Sequence, residues 1–276
     1  MAEKPVANAL ILELEPVVAE NLSRHLASEE PWYGHDYVPF DQGENFAFLG
    51  GKDWDASQVT LPKPVTDACE ILLITKDNLA AHHREIVEHF ILEEKWGRWI
   101  GRWTAEEHLH AIALRNYLVV TREVDPTANE DVRVEHVMKG YRADRFSQIE
   151  TLVFMTFFER EHAVFTRNLE AQVTEPTLKG LIGRIAADEE RHEEFFGNLV
   201  AHCLATDTRA ATVSAIARRA AELDVVGGDI EAYADKRATV AEAGIFDDAA
   251  RRAVIADRIA AWGVAEEPEL REFTGA

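Results

Sequence analysis

The chain has 276 residues, 47% hydrophobic and 29% charged, which is enough apolar material for a sizeable core and sets aside disordered and fibrous classes. Fifty acidic against 29 basic residues give a formal charge of -21, which excludes nucleic-acid binding and obliges any acidic partner to meet a local basic patch. The opening MAEKPVANALILELEPVV has no basic segment followed by a long apolar run. No later stretch approaches the roughly 18 uncharged apolar residues of a membrane span, so a soluble, cytoplasmic chain is expected.

Glycine and proline are scarce and fall between segments whose apolar residues recur at three and four positions, the period of buried helices. The pattern predicts helices over 10–28, 65–91, 96–121, 127–139, 147–172, 176–204, 208–223 and 247–262. Those over 65–91, 96–121, 147–172 and 176–204 are long enough to form a bundle core at about 65–204, with flanking helices at about 205–276, in a single all-α domain. The irregular stretch from Pro31 to Pro64 collects turn formers and aromatics and is too long for an ordinary connection, so it is expected to cover something. Cys69 and Cys203 lack framework or CxxC spacing and read as small buried hydrophobes in a reducing compartment.

Three histidines have a glutamate three residues earlier: Glu107 and His110, Glu159 and His162, Glu189 and His192. On a helix each pair shares a face and can present an oxygen and a nitrogen to one point. In so acidic a chain roughly two such matches arise by chance, and solvent-facing i,i+3 pairs are the plain alternative. The surrounding segments, FMTFF before Glu159 and LIGRIAA before Asp188, are apolar, and unpaired carboxylates there cost several kcal/mol unless a positive charge compensates them. A metal is the economical compensation. Carboxylate plus imidazole donors favour iron or manganese over structural zinc. Glu106 precedes Glu107 and Asp188 precedes Glu189, so facing helices could brace each histidine with the leading acid of the other.

With these motifs on the page, the sequence resembles the soluble, plant-type acyl-carrier-protein desaturases of the ferritin-like di-iron class. The segments AENLSRHL, PWYGHDYVPFD, ILLITKDNL, WTAEEHLHAIALRNYL, FFEREHAVFTRNL and IAADEERHEEFF fall in that family's order. The resemblance implies a ferritin-like four-helix bundle and two irons per chain, with Glu107 and Glu189 bridging, His110 on one metal, and Glu159 and His192 on the other. It implies Asp188 and Glu106 as braces and Trp32 near the centre. The implied reaction uses O2 and external electrons from a ferredoxin-like donor to introduce a double bond into an acyl chain on acyl carrier protein. The relatives are homodimers.

Two positions depart from the family. Lys76 stands where a ligating glutamate belongs, and an ammonium there is expected to pair with Glu107 and Glu189 and to leave the His110 metal site empty or weak, giving one metal instead of two. Asp77 points about 100° away on a helix and is a poor substitute. His162 replaces a small hydroxyl residue and reads as an extra ligand, a proton donor or a packing group. Two alternatives follow: a non-catalytic homologue that binds acyl carrier or a partner subunit, and a ferritin-like oxidase of another substrate.

Among the remaining residues, His82, His83 and His89 read as surface or capping groups. Trp96, Trp99 and Trp103 read as core or subunit packing. Arg218 and Arg219 lie where the family carries carrier-binding basic residues.

Overall fold

The computed structural model describes residues 8–28, 30–140 and 146–275; residues 1–7, on which the reading of the opening partly rests, lie outside the described residues. It contains α1 (Ala9–Ser28), α2 (Lys63–Asp77), α3 (Leu79–Val87), α4 (Glu94–Val120), α5 (Pro126–Met138), α6 (Gln148–Gln172), α7 (Pro176–Leu204), α8 (Arg209–Glu222), α9 (Ala234–Glu242), α10 (Asp248–Ala261) and α11 (Arg271–Thr274), with short 3-10 turns and no strand among the described residues.

Local chemistry sets the helix starts. Ser147 and Glu150 form a reciprocal capping box on α6. Asp125 and Glu175 accept the first free N–H groups of α5 and α7, each followed by a proline whose missing N–H costs nothing there. The helix expected over 65–91 is in fact two. At Asn78 (φ -81°, ψ 19°) the backbone leaves helical geometry, and its N–H is shared between the Ile74 and Thr75 carbonyls at 3.2 Å. Asp77 and Asn78 have side chains that compete locally with helix hydrogen bonds, and Asn78 is held instead by His136 at 3.3 Å. The short α9, folded onto α2, was not predicted because its nine residues hold one buried apolar side chain, Val240.

The apolar residues form two clusters separated by a polar waist. In α4 the order is Trp96, Trp99 and Trp103 in one cluster, then charged residues, then Leu114 and Leu118 in the other. The order is the same in α6, from Met155 through the waist to Phe165, and reversed in α7, from Ile185 to Phe196. The sequence order of α2 also enters from the second cluster. So α4 and α6 run one way and α2 and α7 the other. Two parallel core helices in succession require a crossover, which the α5 region supplies, and this is the connectivity of ferritin-like bundles.

The stretch from Pro31 to Pro64 is clamped to the bundle. Arg122, at positive φ (61°) just past α4, donates to the carbonyls of Lys52, Glu44 and Asn45 and lies 3.8 Å from the centre of the Phe46 ring. Glu123 accepts the N–H groups of Thr60 and Leu61 at 3.0 Å. Cys69 and Cys203 are buried and free, and burial pushes both thiols up.

Trp99 is fully buried and its ring lies 3.5 Å from that of Phe195. Trp99→Ala should therefore cost about 3–5 kcal/mol in chemical denaturation. Phe48→Ala, at a side chain 97% exposed, should change stability by less than about 0.5 kcal/mol.

Candidate metal centre

The polar waist gathers Lys76 from the last turn of α2, Glu107 and His110 from α4, Glu159 from α6, and Glu189 and His192 from α7, none more than 1% exposed. One oxygen each of Glu107, Glu159 and Glu189 and one nitrogen of His192 lie within 4.8 Å of one another. His192 Nδ1 is 3.3 Å from Glu107 Oε1 and 3.5 Å from Glu159 Oε2. His110 Nδ1 stands at 3.3 Å from Glu107 Oε1 and 3.2 Å from Glu189 Oε1.

Each imidazole is held from behind by the facing helix. His110 Nε2 is 2.9 Å from Asp188 Oδ2, which also accepts the Trp32 indole N–H at 3.0 Å. The Trp32 and His110 rings are nearly parallel, 9° apart, with centres 6.1 Å apart. His192 Nε2 is 2.8 Å from Glu106 Oε2, and the other Glu106 oxygen meets His25 at 3.1 Å and Arg102 at 2.5 Å. A carboxylate only accepts, so each Nε2 carries a proton and each Nδ1 faces the centre, where, against burial, hydrogen bonds to the surrounding carboxylates raise both rings well above the ordinary imidazole range.

Lys76 Nζ lies 2.8 Å from Glu107 Oε2 and 2.7 Å from Glu189 Oε1, spanning the two carboxylates on the His110 side. Burial alone would lower the lysine, but Glu107, Glu189 and Glu159 outweigh it and raise its pKa, so the ammonium stays charged. Against burial, Lys76 and the imidazoles hold Glu107 well below the usual carboxylate range, and Glu189 is lowered too. Glu159 goes the other way: burial and the neighbouring Glu107 and Glu189 carboxylates push it up to about 8, while Trp103 Nε1 donates to its Oε1 at 2.7 Å.

The residues fit a metal. Glu107 Oε1, Glu159 Oε2, Glu189 Oε2 and His192 Nδ1 are buried polar atoms with no well-formed hydrogen bond, converging from three helices. Stranded polar atoms of this kind are costly, and a divalent cation satisfies them together. Oxygen-rich donors with one or two imidazoles suit iron or manganese.

His162 is buried beside this group. Its Nδ1 donates to the Phe158 carbonyl at 2.6 Å, and burial together with Lys76 lowers the ring to about 4, leaving it neutral. Arg218 is exposed and pairs with Glu150 at 2.7 Å. Arg219 is buried, 3.2 Å from Glu222 and over the Phe146 ring at 4.1 Å. His83 contacts Thr104 at 2.9 Å, and His82 packs on Phe158 with ring centres 4.5 Å apart. Sequence reasoning missed His25 and Arg102 as supports of Glu106, and the hydrogen bond of Trp103. The i,i+4 spacing of Arg102 and Glu106 was a usable signal; His25 belongs to a helix outside the bundle core and had none.

A helical bundle with a buried carboxylate–imidazole cluster at its waist defines a ferritin-like metalloprotein class. The fatty acid desaturase family profile matches residues 7–275, and the chain belongs to that family. It is 71% identical over 273 residues, 99% of each chain, to a Mycobacterium tuberculosis protein provisionally named acyl-[acyl-carrier-protein] desaturase DesA2. The X-ray structure carrying that provisional DesA2 name, from strain H37Rv, matches with a TM-score of 0.85 and 63% identity over 96% of this chain and 99% of that one. Acyl-[acyl-carrier-protein] desaturase 7 of rice, a chloroplast protein, is 27% identical over 95% of this chain and 70% of its own.

Removing Lys76 leaves Glu107 and Glu189 buried without their cation. In the metal-free protein Lys76→Ala should cost about 3–5 kcal/mol at neutral pH. Both carboxyls sit below their ordinary value of 4.5, so the gap from the natural protein should be full above that pH and close as pH falls below it. Urea titrations from pH 7 to 2 would read this.

Proposed function

We propose that the protein is an acyl-[acyl-carrier-protein] desaturase, an O2-dependent oxidoreductase that introduces a double bond into a fatty acyl chain held on a carrier protein. The observation carrying this reading is the buried Glu107, Glu159, Glu189 and His192 group, in a chain similar along its whole length to proteins named for that activity. The comparisons lend no support to a purely non-catalytic role.

Iron is the proposed cofactor, with manganese suited to the same donors. When bound, reduced iron supplies the O2 activation that an unactivated C–H bond demands and that no side chain can provide. Glu107, Glu159, Glu189 and His192 would hold it on the Glu159 side. Lys76 places an ammonium between Glu107 and Glu189 beside His110, so the proposed content is one metal per chain with the His110 side neutralised by the lysine. Glu106 orients His192 so that its Nδ1 would meet the metal once the proton there is displaced, and Asp188 orients His110 in the same way.

The hydrogen-bonded run Trp32, Asp188, His110 ties the long loop to the centre, and a ferredoxin-like donor is the proposed source of electrons. Arg218, exposed in an acidic chain, is the proposed contact for the carrier protein. No helix among the described residues is long and apolar enough to cross a membrane, and the cytoplasm is the location proposed. Assembly as a homodimer is carried over from the family.

The test is single-turnover mass spectrometry of acyl carrier protein after anaerobic iron loading, reduction and admission of O2. A product lighter by two hydrogens is expected, and O2 consumption that leaves the acyl chain unchanged would point to another oxidase. Elemental analysis should give one iron per chain in the natural protein and two in Lys76→Glu. Glu106→Gln should weaken metal binding by about 10- to 100-fold through the His192 ring.

A further inference from the structure

The three carboxylates of the waist share one pattern: in each, one oxygen is held by a donor that is not itself a metal-binding group. Lys76 Nζ lies 2.8 Å from Glu107 Oε2 and 2.7 Å from Glu189 Oε1, and Trp103 Nε1 donates to Glu159 Oε1 at 2.7 Å. The other oxygens, Glu107 Oε1, Glu159 Oε2 and Glu189 Oε2, are buried without a well-formed hydrogen bond. Two of them, Glu107 Oε1 and Glu159 Oε2, face His192 Nδ1 at 3.3 and 3.5 Å.

Trp103 is placed for this contact by its helix. It stands four residues before Glu107 on α4, on the same face, so the helix that supplies one candidate ligand also reaches across to Glu159 on α6. Trp103 and Glu159 are both 0% exposed, so no water competes for the bond. The indole is wedged in the apolar cluster below the waist, with its ring centre 6.5 Å from that of His192. Packing in that cluster does not by itself aim an indole N–H at the centre. Trp96, on the same helix, gives its N–H to the Ile11 carbonyl at 3.2 Å, and the Trp99 N–H has no partner.

An indole N–H only donates and carries no charge. Lys76 holds its oxygens while neutralising the layer; Trp103 holds Glu159 Oε1 without altering the charge. A carboxylate can meet an ion through one oxygen or both. With Oε1 turned to Trp103, Glu159 is left to offer Oε2 alone. One donor atom each from Glu107, Glu159, Glu189 and His192 leaves positions open on an octahedral ion, and a chelating Glu159 would close one of them.

We propose that Trp103 is a positioning residue that makes Glu159 a single-oxygen donor, holding Oε1 away from the ion and keeping a coordination position free for a small external ligand such as O2. This deepens the metal-centre reading and rests on it.

The experiment loads the metal-free, full-length protein with cobalt(II), records the visible absorption bands of the ion, and titrates with azide as the external ligand. Trp103→Phe should take up cobalt, show weaker bands because the ion gains a donor, and bind azide about tenfold more weakly than the natural protein. Trp103→Phe also removes ring volume, so the deciding variant carries benzothienylalanine at position 103 alone, which keeps the shape of tryptophan and puts sulfur where the N–H was. It should reproduce the weakened bands and the lost azide affinity, and it serves by itself if Trp103→Phe does not fold. A benzothienylalanine protein with the bands and azide affinity of the natural one overturns the inference, since only the shape of the ring would then matter, and leaves the metal centre intact. Failure of the natural protein to take up cobalt overturns both.

Discussion

The Lys76 ammonium between Glu107 and Glu189 is the interaction on which the rest of the waist depends. Three carboxylates and two imidazoles in a fully buried layer cannot all keep their ordinary charge states without a cation. The lysine supplies one positive charge and leaves the balance uneven: Glu107 and Glu189, which it touches, stay ionised, while burial and those two carboxylates raise Glu159 to about 8. The metal proposed on the Glu159 side would complete the compensation.

The bundle exists around this layer. Two apolar clusters, one rich in tryptophan and phenylalanine and the other in leucine and isoleucine, grip the four helices above and below the waist and hold its groups in register. Because α4 and α7 cross there with opposite directions, each motif's leading acid reaches the other helix's histidine, and the braces of His110 and His192 follow from topology. The long loop clamped by Arg122 and Glu123 delivers Trp32 to Asp188. A stretch that is irregular in itself is therefore fixed at the one place where it matters.

The side of the waist toward His162 has another character. Phe158 packs against His162 on one face, with ring centres 4.1 Å apart, and against His82 at 4.5 Å, so a single aromatic side chain stands between the charged centre and a cavity lined by histidines and carboxylates.

The sequence by itself determined the helices, the ligand pairs and the identity of the odd residue at position 76, because helical periodicity and i,i+3 spacing are local and an ammonium in an apolar segment demands carboxylates wherever they come from. It also carried the family, through motifs spread along most of the chain. The break at Asn78 was beyond it, since the choice between a continued helix and a turn was made by His136 on another helix. So was the role of His25, which meets Glu106 only because α1 packs across α4 and α7. The hydrogen-bond state of His162 was likewise decided by the fold: whether a buried imidazole is a ligand, a proton donor or a packing group depends on which nitrogen the backbone occupies and what the other one faces, and neither is a property of spacing along a chain.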